Sequence, residues 1–181
     1  MKVTFESQVT LILTALSVLG LFFVQGNLEN YSPSVFILDG RMQTESAVWY
    51  LSTLGYIFGH ADLQHVVGNL SIILLLGPLV ELKFGWKRFT LMIVSTAILT
   101  AILHTLLWDS KLVGASGIAF MLIVVSTLLN AKGKDIPVTF ILVVLLYLGQ
   151  EIYASFQQSQ ISHFAHLFGG AMGAFWGFYR K

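Results

Sequence analysis

The chain has 181 residues, 56% of them hydrophobic and only 10% charged, with a mean hydropathy of +0.79 and a formal net charge of +1. That composition excludes an ordinary soluble domain, and a near-neutral charge without basic clusters gives no nucleic-acid footprint. The absence of cysteine excludes disulfides and thiolate metal sites and leaves the redox compartment unread.

In chain order, apolar runs long enough for the roughly 30 Å hydrocarbon core of a bilayer lie near residues 9–24, 63–82, 89–107, 115–129, 136–153 and 162–179. Six spans use nearly the whole chain, which predicts an all-α polytopic membrane bundle in a single domain, 1–181. The first run lacks the basic n-region and Ala-x-Ala site of a secretory signal, so it reads as a retained anchor. The one long connection, about 25–62, carries Pro33, the acids Glu29, Asp39 and Glu45, and the aromatics Tyr31, Phe36, Trp49, Tyr50, Tyr56 and Phe58. Loops of that length are functional or disordered. The aromatic second half predicts an ordered element lying in the membrane interface, with a plain aromatic belt as an equal alternative. No internal repeat is visible. The fourth span is short and opens on Gly114-Ala115-Ser116-Gly117, which sinks its serine end below the surface, where non-helical backbone is tolerated only against protein or water.

A cytoplasmic N-terminus puts Lys2, Lys83, Lys87, Arg88, Lys132, Lys134, Arg180 and Lys181 inside and leaves Arg41 and Lys111 outside. The starts of spans 2, 4 and 6 then share the outer side, and with them His65, Asn69, Ser116 and His166. Each alone has a bland reading. Gly-x-Ser-Gly is common at helix contacts, and a span histidine can bond a neighbouring carbonyl. Together they supply a nucleophile, a base and two donors for a developing oxyanion, the set that acyl transfer requires. His65 and Asn69 share a helix face at i, i+4. Gly169, Gly173 and Gly177 form a stripe below His166 on which span 4 can lie close. His60, His104 and His163 lie at the same end and raise a metal cluster, but no His-Glu-x-x-His pattern accompanies them, so no metal is expected. Asp62, Asp109 and Glu151 are the nearest acids, and none is expected to reach the serine and histidine; a dyad is expected over a triad.

These residues resemble the rhomboid intramembrane serine proteases in their bacterial six-span form. The resemblance rests on Gly114-Ala115-Ser116-Gly117, on Ala165-His166 followed by Gly169 and Gly173, on His60, His65 and Asn69, and on Glu81-Leu82-Lys83-Phe84-Gly85. It implies Ser116 as nucleophile, His166 as general base, and His65, Asn69 and the Ser116 backbone N–H as the oxyanion hole. It implies a structural role for Glu81, with Gly114, Gly117, Phe120, Gly169 and Gly173 supporting. Substrates would be transmembrane segments of other proteins, cut near the outer face after local unwinding and after a small residue. Membrane lipids would be partners, and neither cofactor nor nucleic acid is expected. The setting would be a bacterial inner membrane with both termini cytoplasmic. Two positions depart from the family's pattern: Trp49-Tyr50 stands where a Trp-Arg pair is usual, and Phe120 where Tyr is frequent. Phe120 keeps the ring face that can stack on His166. The alternatives are a catalytically silent rhomboid-like factor that binds membrane proteins for quality control and, further off, a small transporter.

Overall fold

The computed structural model of the chain describes residues 6–25, 34–131, 135–155 and 161–179. Expectations that rest on Lys2, Glu29, Tyr31, Pro33, Lys132, Lys134, Arg180 and Lys181 lie outside the described residues. Among those described, the fold is all-α: α1 Gln8–Gln25, α2 Ala47–Gly55 with a 3-10 turn Tyr56–Phe58, α3 Leu63–Phe84, α4 Trp86–Leu107, α5 Ser116–Thr127, α6 Val138–Ser155 and α7 Ile161–Phe178. The only β pairing among them is an isolated antiparallel bridge between Leu38 and Leu112.

Local chemistry sets the boundaries that matter for the site. Ser46 caps α2 by accepting the Trp49 N–H at 3.3 Å, and Asp62 caps α3 by accepting the His65 N–H at 2.7 Å, which fixes His65 in the first turn. Gly85, at φ +78°, ends α3 with its N–H on the Glu81 carbonyl and starts α4. The aromatic half of the long connection is ordered as α2. Trp49 is buried there and its indole donates to the Asp39 carbonyl at 3.2 Å, while Tyr50 faces outward. The Arg41 Nε donates to both Asp109 carboxylate oxygens, at 2.8 and 3.0 Å, and holds that exposed carboxyl below its ordinary range. These contacts anchor the loop without the arginine beside Trp49.

α5 is the central helix. Gly117 to Ala119 and Met121 to Val125 are all buried, packed by α3, α4, α6 and α7. Its 12 residues rise about 18 Å, well short of the roughly 30 Å core. Of the six expected crossings, two pass on length and composition among the described residues: α3 and α4, each 22 residues, with mean hydropathy 1.7 and 2.0. The outward faces are predominantly apolar, with Phe22, Leu75 and Leu146 each 71% exposed, a surface that water would not tolerate over several helices.

One buried carboxylate ties α1 to α3. Glu81, 4% exposed, accepts from the Val9 N–H at 3.0 Å, the Thr10 N–H at 2.9 Å and the Thr10 hydroxyl at 2.8 Å. It satisfies orphan donors of the first turn of α1 from a different helix. Glu81→Ala should therefore destabilise the fold by about 3 kcal/mol, because three donors lose their acceptor inside the protein. The check is the thermal midpoint in detergent; an unchanged midpoint would remove Glu81 from the scaffold.

Candidate active site

The segment entering α5 is pinned residue by residue. Leu112 exchanges backbone hydrogen bonds with Leu38, the Gly114 N–H donates to the Tyr56 carbonyl at 3.0 Å, and the Ala115 N–H reaches His60 Nε2 at 3.4 Å. Gly114 has φ +114°, and a Cβ there would meet the His65 ring at 2.7 Å. Glycine thus serves twice, for the backbone conformation and for the approach of α3. Ser116 follows as the first residue of α5, in a turn whose N–H groups have no intrahelical partner.

His60, fully buried, joins three elements. With the proton on Nδ1 it donates to the Phe58 carbonyl at 3.2 Å, and its bare Nε2 accepts from Asn69 Nδ2 at 3.0 Å and from the Ala115 N–H. A single tautomer satisfies all three contacts, and Asn69 keeps a second amide hydrogen for another acceptor. His65 packs edge-on to His60 with ring centroids 5.0 Å apart. His60 carries no periodic spacing to Ser116, so its bridging position could not be read from the sequence.

α7 lies on α5 along its glycines. A Cβ on Gly169 would collide with the Gly117 backbone, one on Gly173 would lie 2.5 Å from the Met121 carbonyl oxygen, and one on Gly177 would collide with Leu128. The two helix backbones are in contact at the Gly117 and Gly169 pair. His166, one turn from Gly169, stacks flat on Phe120, with centroids 4.3 Å apart and planes 4° off parallel.

The expected separation of the acids from the site does not hold for Glu151. Its carboxylate on α6 lies between two imidazoles of α7, 3.0 Å from His166 Nδ1 and 2.6 Å from His163 Nδ1. A pair of histidines three apart on α7 meets one acid from the preceding helix, a placement decided by helix packing rather than by spacing. The signal available was an ionisable residue within an apolar run, which marks a functional candidate by default. Among the described residues these three groups could also hold a metal, with ligand atoms within 4.8 Å of one another. His104 takes no part, since its Nε2 donates to the Ser110 carbonyl at 2.8 Å.

Ser116, His65, Asn69 and His166 line one cavity of about 300 Å³, with Phe120 and Ala165 also in its wall. Phe120 and His166 also wall a second, apolar cavity of about 220 Å³ toward α6, which Glu151 borders. Among the described residues no hydrogen bond joins Ser116 to His166. Such contacts are commonly long in unliganded sites and tighten on substrate.

The Rhomboid domain family matches over residues 45–181. The chain is 29% identical over 160 residues to Rhomboid-related protein 1 of Caenorhabditis elegans, covering 81% of this chain and 43% of that protein. It is 24% identical over 177 residues to Rhomboid protease GlpG of Haemophilus influenzae, covering 96% of this chain and 91% of that protein. The chain thus spans less than half the length of the first relative and most of the second.

The glycine contact generates a test. Gly173→Leu forces α7 away from α5, and a displacement near 1 Å at His166 should slow fluorophosphonate labelling of Ser116 about 10²-fold while membrane insertion persists. Wild-type labelling would show that this contact does not set the site.

Proposed function

We propose that this chain, which belongs to the rhomboid family, is an intramembrane serine endopeptidase that cuts transmembrane segments of other proteins with Ser116 and His166. The observation that carries the reading is the shared cavity: a serine opening a buried, shortened helix faces the same 300 Å³ space as His166, His65 and Asn69. As a rhomboid the chain is an integral membrane protein. In this reading α1, α3, α4, α5, α6 and α7 make six crossings within one domain, 1–181. Both termini and the α3–α4 turn with Lys83, Lys87 and Arg88 face the cytoplasm of a bacterial inner membrane, and Arg41 and Lys111 lie outside.

The chemistry follows from the positions. Ser116 Oγ attacks a peptide carbonyl carbon while His166 Nε2 takes the hydroxyl proton. The carbonyl oxygen becomes an oxyanion, met by the Ser116 N–H, the spare Asn69 amide hydrogen and the His65 ring. Collapse of the tetrahedral adduct breaks the C–N bond, and His166 gives its proton to the departing amine. Water then attacks the acyl-serine with His166 again as base, and the second collapse frees the carboxylic acid and restores the Ser116 hydroxyl. One water is consumed per bond cut. A substrate helix must unwind first, because its hydrogen-bonded carbonyls are shielded; helix-weakening residues near the outer end favour cleavage, and family resemblance points to a small residue before the cut. Surrounding lipid is the second partner, and the mechanism calls on no cofactor or metal. The presence of both Ser116 and His166 speaks against a catalytically silent membrane-protein binder, and the same experiment separates the two readings.

Purified wild-type protein should cleave a single-pass substrate in the presence of chelator, and Ser116→Ala and His166→Ala should abolish cleavage while remaining folded. Substrate binding without Ser116-dependent cleavage would favour the silent factor. Asn69→Ala should lower kcat by about 10²-fold with little change in KM, the signature of a donor engaged in the transition state. A change in KM alone would make Asn69 a docking residue.

A further inference from the structure

The proposed reaction leaves Glu151 without a role, although this acid is 6% exposed and borders the cavity beside His166. Burying a carboxylate costs several kcal/mol unless its oxygens are well paired. Here both are: Oε1 accepts from His166 Nδ1 at 3.0 Å and Oε2 from His163 Nδ1 at 2.6 Å.

The hydrogen bond at His166 has a chemical consequence. A carboxylate can only accept, so the Nδ1 it meets must carry the proton, and His166 Nε2 is left with its lone pair. That is the tautomer able to take a proton from a serine hydroxyl. Phe120 stacked on the ring face fixes the tilt of the imidazole, and Glu151 at the ring edge fixes its rotation. When His166 becomes an imidazolium, the carboxylate is already beside it.

A divalent cation held by Glu151, His163 and His166 is the competing use of the same atoms. The remaining nitrogen of His163 speaks against it. His163 Nε2 is buried without a partner. If Nδ1 ligated a cation, the neutral ring would carry its proton on Nε2 and leave a buried N–H unsatisfied. With Nδ1–H donated to Glu151, the orphan is an acceptor lone pair, the better tolerated of the two.

We infer that Glu151 is the positioning residue of this site, a carboxylate on α6 that sets the tautomer and orientation of His166 and remains ionised throughout. The inference rests on the reading of Ser116 and His166 as nucleophile and base. His163 is the second anchor that holds the carboxylate in place.

The test compares wild type, Glu151→Gln and Glu151→Asp as full-length protein in detergent, by cleavage kinetics, thermal midpoint and the spectrum of ¹⁵N-labelled histidine. Glutamine offers one acceptor and one donor where two imidazole N–H groups need acceptors, so one ring must switch tautomer, and the charge is lost. Glu151→Gln should lower kcat by about 10²- to 10⁴-fold with KM within about twofold while the protein stays fully folded at the assay temperature. Glu151→Asp should recover part of kcat. The wild-type spectrum should show His166 protonated at Nδ1, and Glu151→Gln should lose that signature. Wild-type protein without Ser116-dependent cleavage would overturn the protease reading and this inference with it. Wild-type cleavage accompanied by a normal kcat in Glu151→Gln would overturn this inference alone. So would a loss explained by a fallen midpoint, or cleavage that chelator abolishes and zinc restores.

Discussion

The contact between Gly117 of α5 and Gly169 of α7 sets the height at which everything else in the site meets. Neither residue has a side chain to hold the helices apart, and a Cβ on Gly169 would strike the Gly117 carbonyl. Ser116 is the residue before one of these glycines, and His166 is one turn before the other. Register at the glycine pair therefore sets register between serine and imidazole. Gly173 against Met121 and Gly177 against Leu128 continue the contact, so a side chain at any of these glycines would push the two helices apart. In lipid, where apolar association between helices gains little, close backbone approach of this kind is a principal source of packing energy.

Polar anchors then complete what packing begins. Glu81 holds the first turn of α1 on α3, His60 ties the 3-10 turn to both Asn69 and the segment before Ser116, and Glu151 links α6 to α7. Each is a buried group whose partners come from other elements. In a medium without water such groups are costly when unpaired and correspondingly specific when paired. The candidate site is therefore assembled on a scaffold that resists repacking.

Much of this was legible in the sequence, for identifiable reasons. The glycines at 169, 173 and 177 repeat every four residues, and His65 and Asn69 stand at i, i+4; helical periodicity alone puts such sets on one face. The Gly114-Ala115-Ser116-Gly117 run marked the start of a short helix, and the aromatics near Trp49 marked an ordered element in the long connection. His60 and Glu151 were not legible in the same way. Their partners lie on other elements at no regular spacing: His60 bridges a turn, a helix and a loop, and Glu151 meets His163 and His166 across a connection. The apolar runs at 9–24, 136–153 and 162–179 also read as full spans, whereas length and composition among the described residues single out α3 and α4; α5, which starts at the half-buried Ser116, is as short as its run suggested.

A crystal structure of the protein after reaction with a fluorophosphonate tests the central claim most directly, because the adduct is a tetrahedral mimic of the acyl-transfer intermediate. The account predicts phosphorus bonded to Ser116 Oγ, a phosphoryl oxygen about 3 Å from the Asn69 amide and the Ser116 N–H, and the Gly117 and Gly169 backbones still in contact. Phosphorus on another serine, a phosphoryl oxygen turned away from Asn69, or α5 and α7 separated at the glycine pair would contradict it.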